Sequence, residues 1–160
     1  MAIYLKFGNV KGNVTAKGFE KHIAVDSVRF KVTRTVSMES GNLSNRESAK
    51  PKLSPITLVK RADSSVAAIF KEAVSGASGQ EATLTFVRTG KDGLMPYMSY
   101  VLTDCIVSGY DINAFGDTEP SESISLSYSK IVASYTDHDA TNKAGTPMRV
   151  MYDLAKGEAG

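Results

Sequence analysis

Apolar and polar residues alternate along most of this chain, with the period of two that is typical of strands that bury one face. The clearest case is residues 121–130, SESISLSYSK, where every odd position is a serine. Ile124, Leu126 and Tyr128 occupy even positions between the serines. The pattern predicts a strand with one apolar face in a core, and a second face that carries small hydroxyls instead of the usual lysines and glutamates.

The phase of this alternation switches at two places, and each switch predicts a β-bulge, in which one extra residue keeps the same face inward while the strand bends. In residues 22–36 the apolar positions change from odd to even near Asp26 and Ser27. After Tyr128 they change from even to odd, beginning with Ile131. Two long strands that each bend favour a closed or nearly closed barrel over a flat sheet.

Shorter segments rich in β-branched and aromatic residues predict further strands. They are residues 3–7, 55–60, 82–88, 97–110 and 147–152. The sequence TGKDG at residues 89–93 suits the turn of a hairpin between two of them. The predicted fold class is therefore mainly β: a small bulged β-barrel of two packed antiparallel sheets, with one flanking helix and a long extended loop.

One segment has helical periodicity instead. Its apolar residues recur at spacings of three and four: Val66, Ile69, Phe70, Ala73 and Val74. They predict a helix over about residues 64–75, with Asp63 or Ser64 as the N-cap and Gly76 at its end. We expect the apolar stripe of this helix to close one side of the barrel.

The longest predicted connection is residues 37–54, SMESGNLSNRESAKPKLS, which form a polar, serine-rich loop. Ordered loops of more than about 15 residues are uncommon in compact domains and are usually either functional or disordered. From the residues alone, both alternatives remain open.

Composition and net charge restrict the classes of protein and of partner that the chain suggests. The chain has 160 residues, 42% hydrophobic and 22% charged, which suits one globular domain over residues 1–160 with a core of its own. Its 19 basic and 17 acidic residues leave a net charge of +2, and no block of like charges stands out. Neither nucleic acid nor an anionic membrane surface is therefore favoured as a partner.

Cysteine content and hydropathy bear on the compartment. Cys105 is the single cysteine, so an intramolecular disulfide is excluded and folding in a reducing compartment is favoured. We expect Cys105 to be a small buried side chain in a strand. Lys6 interrupts the apolar N-terminus, so no signal peptide is predicted, and no segment approaches the roughly 18 apolar residues of a membrane span. Export would then need a dedicated machine.

Residues that could carry catalysis or hold a metal are sparse. His22 and His138 are the only histidines, and neither has metal-ligand spacing with the other or with Cys105. Gly90 and Lys91 lack the rest of a phosphate-binding loop. Four acidic residues around one predicted loop are interpreted as a solvated cluster rather than a calcium site: Asp111, Asp117, Glu119 and Glu122. No catalytic, cofactor or metal site is predicted, and an enzyme is disfavoured.

Several stretches of the chain, taken in order, resemble one known family. They are IYLKFGNVKG at residues 3–12, residues 22–30, residues 56–65, and residues 82–135, which include EPSESISLSYSKI at 119–131. The family is Hcp, the haemolysin-coregulated tube proteins of bacterial type VI secretion. Arg29 and Lys31 depart from it, because the family often has small or neutral residues there, and residues 37–54 align poorly.

The resemblance implies a β-barrel protomer with a flanking helix, a homohexameric ring, and rings that stack into the inner tube of the secretion machine. It implies that the ring lumen carries type VI effectors, and that sheath and spike-tip proteins are further partners. No catalytic residue, cofactor, nucleic acid or membrane insertion is implied. The protein is expected in the bacterial cytoplasm before assembly and is then secreted to the extracellular space or a target cell.

Two alternatives come from other classes. Contractile bacteriophage tails solve the same assembly problem with a similar barrel, so a tail-tube subunit is one alternative. A monomeric binding module is the other, because composition alone permits it.

Two surfaces are predicted to serve assembly. The loop at residues 37–54 is expected to become ordered against a neighbouring protomer or ring, through Met38, Glu39, Asn42, Asn45, Arg46, Lys50 and Lys52. The second surface points away from the barrel core and is expected to line the lumen or a subunit contact; an ordinary solvated strand face is the alternative. It comprises Arg29, Lys31, Thr33, Ser123, Ser125 and Ser127.

Overall fold

The structure is a computed structural model that describes residues 1–36, 38–41, 49–76 and 78–160. The described residues are mainly β, as predicted, with one helix, α1 (Val66–Ser75). In chain order the strands are β1 (Ala2–Phe7), β2 (Ile23–Val25), β3 (Ser27–Arg29), β4 (Val32–Thr33), β5 (Lys52–Leu53), β6 (Ile56–Arg61), β7 (Gln80–Gly90), β8 (Gly93–Asn113), β9 (Ser121–Ser127), β10 (Lys130–Tyr135), β11 (Met148–Asp153) and β12 (Glu158–Ala159).

Ten of the twelve strands form two antiparallel sheets that share β8, which confirms the predicted architecture, while β4 and β5 pair with each other in a separate two-stranded sheet. The larger sheet has the order β12-β11-β10-β8-β7-β1-β2. The smaller one, called here the four-stranded sheet, has the order β3-β6-β9-β8. β8 pairs with β7 as far as Cys105 and with β9 from Ile106 onward, so this long strand passes from one sheet into the other.

The chain also changes sheet at both predicted bends. Asp26 separates β2, in the larger sheet, from β3, in the four-stranded sheet, and its N–H donates to Val59 O at 2.8 Å. Tyr128 and Ser129 separate β9 from β10 in the same way. The chain therefore bends at both predicted places, but the predicted β-bulges are wrong: one strand ends there and the next begins in the other sheet, while the register shifts of the described residues lie in β7 and β8. Together with β8 these crossings join the two sheets into the predicted barrel.

The core lies between the two sheets. Its largest fully buried apolar side chains are Phe7, Leu5, Ile23, Ile56, Leu58, Ile69, Leu84, Leu102, Ile124 and Leu126. Cys105 is buried in a strand, as predicted, and burial raises the pKa of its thiol to about 12. Val32 shares the inward phase of β3 but is 51% exposed, because β4 pairs with β5 instead of joining the four-stranded sheet.

The predicted strands lie where they were expected, but some differ in length from the prediction. The continuous strand expected over residues 22–36 is three short strands, β2, β3 and β4. The predicted turn at residues 89–93 is a tight hairpin in which Gly90 pairs with Gly93. Gly93 has a φ of 116°, which residues with a side chain rarely adopt. β5 and β12 were not predicted, because two-residue strands are too short to show a period.

Helix α1 begins slightly later than predicted, and the predicted N-cap is wrong. Ser65 is the N-cap residue, and its side chain makes no capping hydrogen bond. Asp63 Oδ1 instead accepts a hydrogen bond from the Ser65 N–H at 2.9 Å, just ahead of the helix. Gly76 ends the helix as predicted, with its N–H donating to Glu72 O at 2.9 Å.

The apolar stripe of α1 is only partly covered. Ile69 is buried in the core, whereas Phe70 and Val74 are 54% and 67% exposed. The Phe70 ring lies edge-on to the Tyr110 ring, with centroids 5.9 Å apart. The expectation that the whole stripe closes the barrel is therefore wrong for Phe70 and Val74, because only one edge of the stripe meets the core.

Candidate functional site

The outer face of the four-stranded sheet brings together two groups of residues that are far apart in the sequence. Arg29 of β3 pairs with Thr57 of β6, Thr57 pairs with Ser125 of β9, and Ser125 pairs with Gly109 of β8. Residues paired directly across antiparallel strands point to the same face, so Arg29 and Ser125 share one surface. We call this surface the hydroxyl face; it comprises Ser27, Arg29, Thr57, Val59, Arg61, Ile106, Ser108, Gly109, Asp111, Asn113, Ser121, Ser123, Ser125 and Ser127.

The serines of β9 alternate as predicted. Ser123, Ser125 and Ser127 are half-buried on the hydroxyl face, while Ile124 and Leu126 between them are buried in the core. The orientation of the strand is therefore confirmed. That the serines line a lumen or a subunit contact stays a prediction.

Sequence reasoning missed Ser108, which lies at a β-bulge in β8. The register with β9 shifts between Val107 and Gly109. Ser127 Oγ donates to Ser108 Oγ at 2.8 Å, and Ser108 Oγ donates to Ser125 O at 3.3 Å. These cross-strand bonds satisfy hydroxyl groups within the face itself. In the sequence, the adjacent residues Ser108 and Gly109 were the one indication of an irregular backbone at this position.

Gly109 keeps the middle of the hydroxyl face flat. A Cβ atom added to Gly109 would lie 3.2 Å from both Cβ and Oγ of Ser125, which is tighter than most real contacts. A side chain at this position would therefore push the serine of the neighbouring strand.

Arg29, Lys31 and Thr33 are exposed and point away from the core, as predicted. The Lys31 N–H donates to Ser54 Oγ at 2.9 Å, and the Ser54 N–H donates to Lys31 O at 2.8 Å. This pairing holds the short segment between β3 and β4 in place, while the Lys31 side chain remains exposed to solvent. Arg29 and Lys31 line one shallow cavity of about 240 Å³ next to Thr57.

The base of the predicted assembly loop is a short hairpin. Lys52, which was placed in the loop, lies in β5 and pairs with Thr33 of β4. Arg34 Nε donates to Ala49 O at 2.9 Å and so ties the two arms together. The loop is therefore shorter than predicted, because its C-terminal arm forms a strand.

The predicted loop residues fall into two groups. Met38, Glu39, Lys50 and Lys52 are described and exposed. Asn42, Asn45 and Arg46 lie outside the described residues. The role of this loop in assembly stays a prediction.

A buried ion pair lies behind the hydroxyl face. Lys60 of β6 and Glu122 of β9 are cross-strand partners, both fully buried, and Lys60 Nζ donates to Glu122 Oε2. Lys60 Nζ is also 3.1 Å from Asp63 Oδ1. Tyr110 donates its hydroxyl proton to Glu122 Oε1 at 2.7 Å. Burial above all, and then the hydrogen bond with Glu122, raise the pKa of Tyr110 to about 12.

This ion pair helps to fix which residues reach the hydroxyl face. A slip of one residue between β6 and β9 would turn every side chain to the opposite face. It would also separate Lys60 from Glu122 and so deprive each buried charge of its opposite charge in the facing strand, which is strongly unfavourable. The pair therefore favours one register.

Glu122 corrects the interpretation of the acidic cluster as solvated. Asp111, Asp117 and Glu119 are exposed, as predicted, but Glu122 is fully buried. The sequence already indicated that Glu122 is buried, because Glu122 shares the even phase of Ile124 and the other inward residues of β9. A carboxylate with a buried cationic partner can follow the phase of its strand into the core, and Glu122 does so opposite Lys60.

The described residues include no group of three or more His, Cys, Asp or Glu side chains placed to hold a metal ion. His22 packs edge-on against Phe19, with ring centroids 5.4 Å apart. The described part of the chain also has no helix that is long and apolar enough to cross a membrane.

Comparison with known families gives one match. The profile of the family described as "Type VI secretion system effector, Hcp" matches residues 4–135. A search of curated proteins finds no match.

Solved structures share the fold at low sequence identity. A type six secretion system protein is 23% identical, with 99% of each chain covered and a TM-score of 0.91. Hcp1 from Salmonella typhimurium is 21% identical, with 99% of this chain and 97% of that chain covered and a TM-score of 0.78. A type VI secretion system effector from Yersinia pestis is 16% identical, with 94% and 98% covered and a TM-score of 0.72.

Proposed function

Because the chain belongs to the Hcp family of type VI secretion proteins, we propose that it is a structural subunit of the secretion tube. In this proposal, residues 1–160 act as one domain, six protomers form a ring, rings stack into a tube, and effectors occupy the lumen. The subunit performs no catalysis. The observation that carries the proposal is the hydroxyl face on a sheet whose two outer strands each pair on one side only among the described residues.

The free edges support a ring that closes by edge-to-edge pairing. Within the described residues, β3 pairs with β6 alone, and residues 106–113 of β8 pair with β9 alone. Neighbouring strands of this sheet are all antiparallel, and their number is even, so β3 and β8 run in opposite directions. Rotation about an axis along the strands would then bring β8 of one copy beside β3 of the next in antiparallel orientation. Such a head-to-tail contact closes into a ring.

Steric reasoning supports the hydroxyl face as the lumen surface. The opposite face of the four-stranded sheet is covered by its own core and by the larger sheet. The bulk of each protomer therefore lies on that side, and a closed ring has room for it only on the outside. The hydroxyl face would then point to the axis, where small side chains leave the channel open.

The partners and location of the protein follow the same proposal. Further copies of this chain, type VI effectors, and the sheath and spike-tip proteins are the proposed partners. The protein would assemble in the bacterial cytoplasm and leave the cell through the machine that it helps to build.

Size-exclusion chromatography with light scattering, followed by negative-stain microscopy, tests the ring. We expect a mass close to six chains and a six-fold ring with a central hole. A protomer that stays monomeric at every concentration, without rings on the grid, would contradict the proposal and favour a binding module.

A further inference from the structure

Three cationic side chains lie together at one end of the four-stranded sheet, and we call them the basic strip: Arg29, Lys31 and Lys52. Arg29 and Lys31 share the outward phase of β3 and the residues after it. Lys52 lies on the same side, because it pairs directly opposite Thr33. The other pair of that hairpin, Val32 and Leu53, lines an apolar cavity on the opposite side.

Among the described residues, no ion pair neutralises the positive charge of the basic strip. All three side chains are exposed, and none takes part in an ion pair among the residues that the structure describes. Of the other charged residues on the hydroxyl face, Asp111 lies on β8, the far strand of the sheet within one protomer. The proposed ring would place β8 of the next copy beside β3, so one carboxylate would then face the three cations of the strip. Arg61 Nε lies 3.8 Å from Asp26 Oδ2. The strip is therefore a local excess of positive charge on a surface of mainly small, uncharged side chains.

The immediate surroundings of the strip suit a carboxylate. Arg29 and Lys31 border the same shallow cavity of about 240 Å³, together with the hydroxyl-bearing Thr57. A guanidinium group can donate two parallel hydrogen bonds to one carboxylate, and an ammonium group adds a point charge. Ser54 Oγ is already engaged, because it donates to Pro55 O at 2.9 Å and accepts from the Lys31 N–H.

We propose that the basic strip binds carboxylate-rich segments of the polypeptides that the ring carries, so that this chain favours acidic effectors. The inference rests on the proposed function for the source of the ligand, although the binding chemistry belongs to the protomer itself. Exposed ion pairs are individually weak and sensitive to salt. Repeated around one lumen, they act together through multivalency, which retains a cargo and still allows its release.

The surroundings favour a polypeptide over single-stranded nucleic acid. Proteins that bind single strands combine cations with aromatic side chains on which bases stack. The hydroxyl face has no aromatic side chain among its described residues. Phe30, next to Arg29 in the chain, is directed to the inner side and packs against Tyr100, with ring centroids 5.7 Å apart.

Fluorescence anisotropy with the assembled protein and a labelled oligo-glutamate peptide tests the inference. The comparison probes are an oligo-serine peptide and a single-stranded DNA of similar length. The test variant is Arg29→Ser/Lys31→Ser. The matched control is Lys91→Ser/Lys156→Ser, which removes two exposed cations from turns outside the four-stranded sheet. We expect oligo-glutamate to bind at low salt, the test variant to bind it at least about fivefold more weakly, and the control to bind as the wild type does.

The outcomes separate this inference from the proposed function, because light scattering on the same samples reports ring formation. If rings form but do not bind oligo-glutamate, or if the test variant binds it as well as the wild type does, the inference is overturned and the tube proposal stays intact. Binding of DNA without binding of oligo-glutamate would also overturn it and assign the strip to nucleic acid. A monomer whose oligo-glutamate binding depends on Arg29 and Lys31 would support the site while contradicting the ring.

Discussion

Among single residues, the pair formed by Lys60 and Glu122 has the largest predicted effect on stability. Both side chains are fully buried, and Asp63 and Tyr110 supply further polar contacts around them. Burial of a charge is costly, so each member depends mainly on the opposite charge of the other. The pair therefore links the stability of the protomer to the register that exposes the hydroxyl face.

Replacement of one member should be far worse than replacement of both. We expect Glu122→Leu to lower the free energy of unfolding by about 3–5 kcal/mol, because it removes the fully buried partner of the Lys60 ammonium group and leaves that group with Asp63 as its nearest carboxylate. Lys60→Met/Glu122→Leu should recover most of this loss. Urea unfolding followed by circular dichroism measures both variants. A Glu122→Leu protein as stable as the wild type would show that the ion pair is not buried in solution.

Cys105 gives a second prediction at this scale. Burial raises the pKa of its thiol to about 12, so the reactive thiolate is almost absent at pH 8 and the sulfur is also inaccessible. We expect a thiol reagent such as DTNB to react at least about a hundredfold more slowly with the native protein than with the protein in urea. Rapid reaction of the native protein would mean that the strand around Cys105 opens readily.

At the scale of elements, the two faces of β9 differ both in burial and in residue type. Its inward residues belong to the core, so its outward serines can change without loss of the apolar packing. Their half-buried position and the bond from Ser127 to Ser108 restrict what can replace them. This is the reason to test the serines together, as one surface.

Lysine at Ser123, Ser125 and Ser127 together should impair ring assembly or export. Three long cations per protomer would repel their copies across a narrow channel or a subunit contact. The matched control is threonine at the same positions, which keeps the hydroxyl and adds one methyl group; we expect it to assemble. Light scattering and a secretion assay provide the measurements. Normal rings and normal export in the lysine variant would identify the serines as an ordinary solvated strand face.

The loop between β4 and β5 can be tested in the same way, because its base is held by strand pairing. Deletion of residues 38–49 leaves Val32–Thr33 and Lys52–Leu53 in place. We expect a folded protomer that still forms rings but no longer stacks into filaments. Thermal unfolding and microscopy report the two properties separately. Filaments of normal length from the deletion variant would exclude a role for the loop in stacking.

Alternation predicted most strands and both bends, because burial of one face imposes a period of two wherever a strand is long enough. It could not show that β8 divides between two sheets, since the pairing of a strand depends on distant segments. Val32 has the inward phase of β3 and is nevertheless exposed, because the phase of a residue gives its direction and not what covers it. The position of Ser108 on the hydroxyl face depends on its partners in β9, and the partner that makes burial of Glu122 possible lies in β6. The structure was needed to identify these partners.

At the scale of the whole molecule, the outer edges of the four-stranded sheet are the feature that assembly has to cover. An exposed sheet edge offers unpaired backbone N–H and C=O groups that promote uncontrolled association. The proposed ring removes both edges at once, because β8 of each copy covers β3 of the next. Closure would thus satisfy the backbone and orient the hydroxyl face in one step.

Hydrogen exchange can locate this contact without any substitution at the edges. In the ring, amides of residues 27–29 and 106–113 should exchange more slowly than in a monomeric form, such as one produced by dilution or by the lysine variant of β9. Amides of β1 and β7, which are paired within the protomer, serve as the internal control and should change little. Protection at β11 or α1 instead, with no change at β3 and β8, would place the ring contact on a different surface. The hydroxyl face would then lose its assignment to the lumen, because that assignment depends on which edges meet.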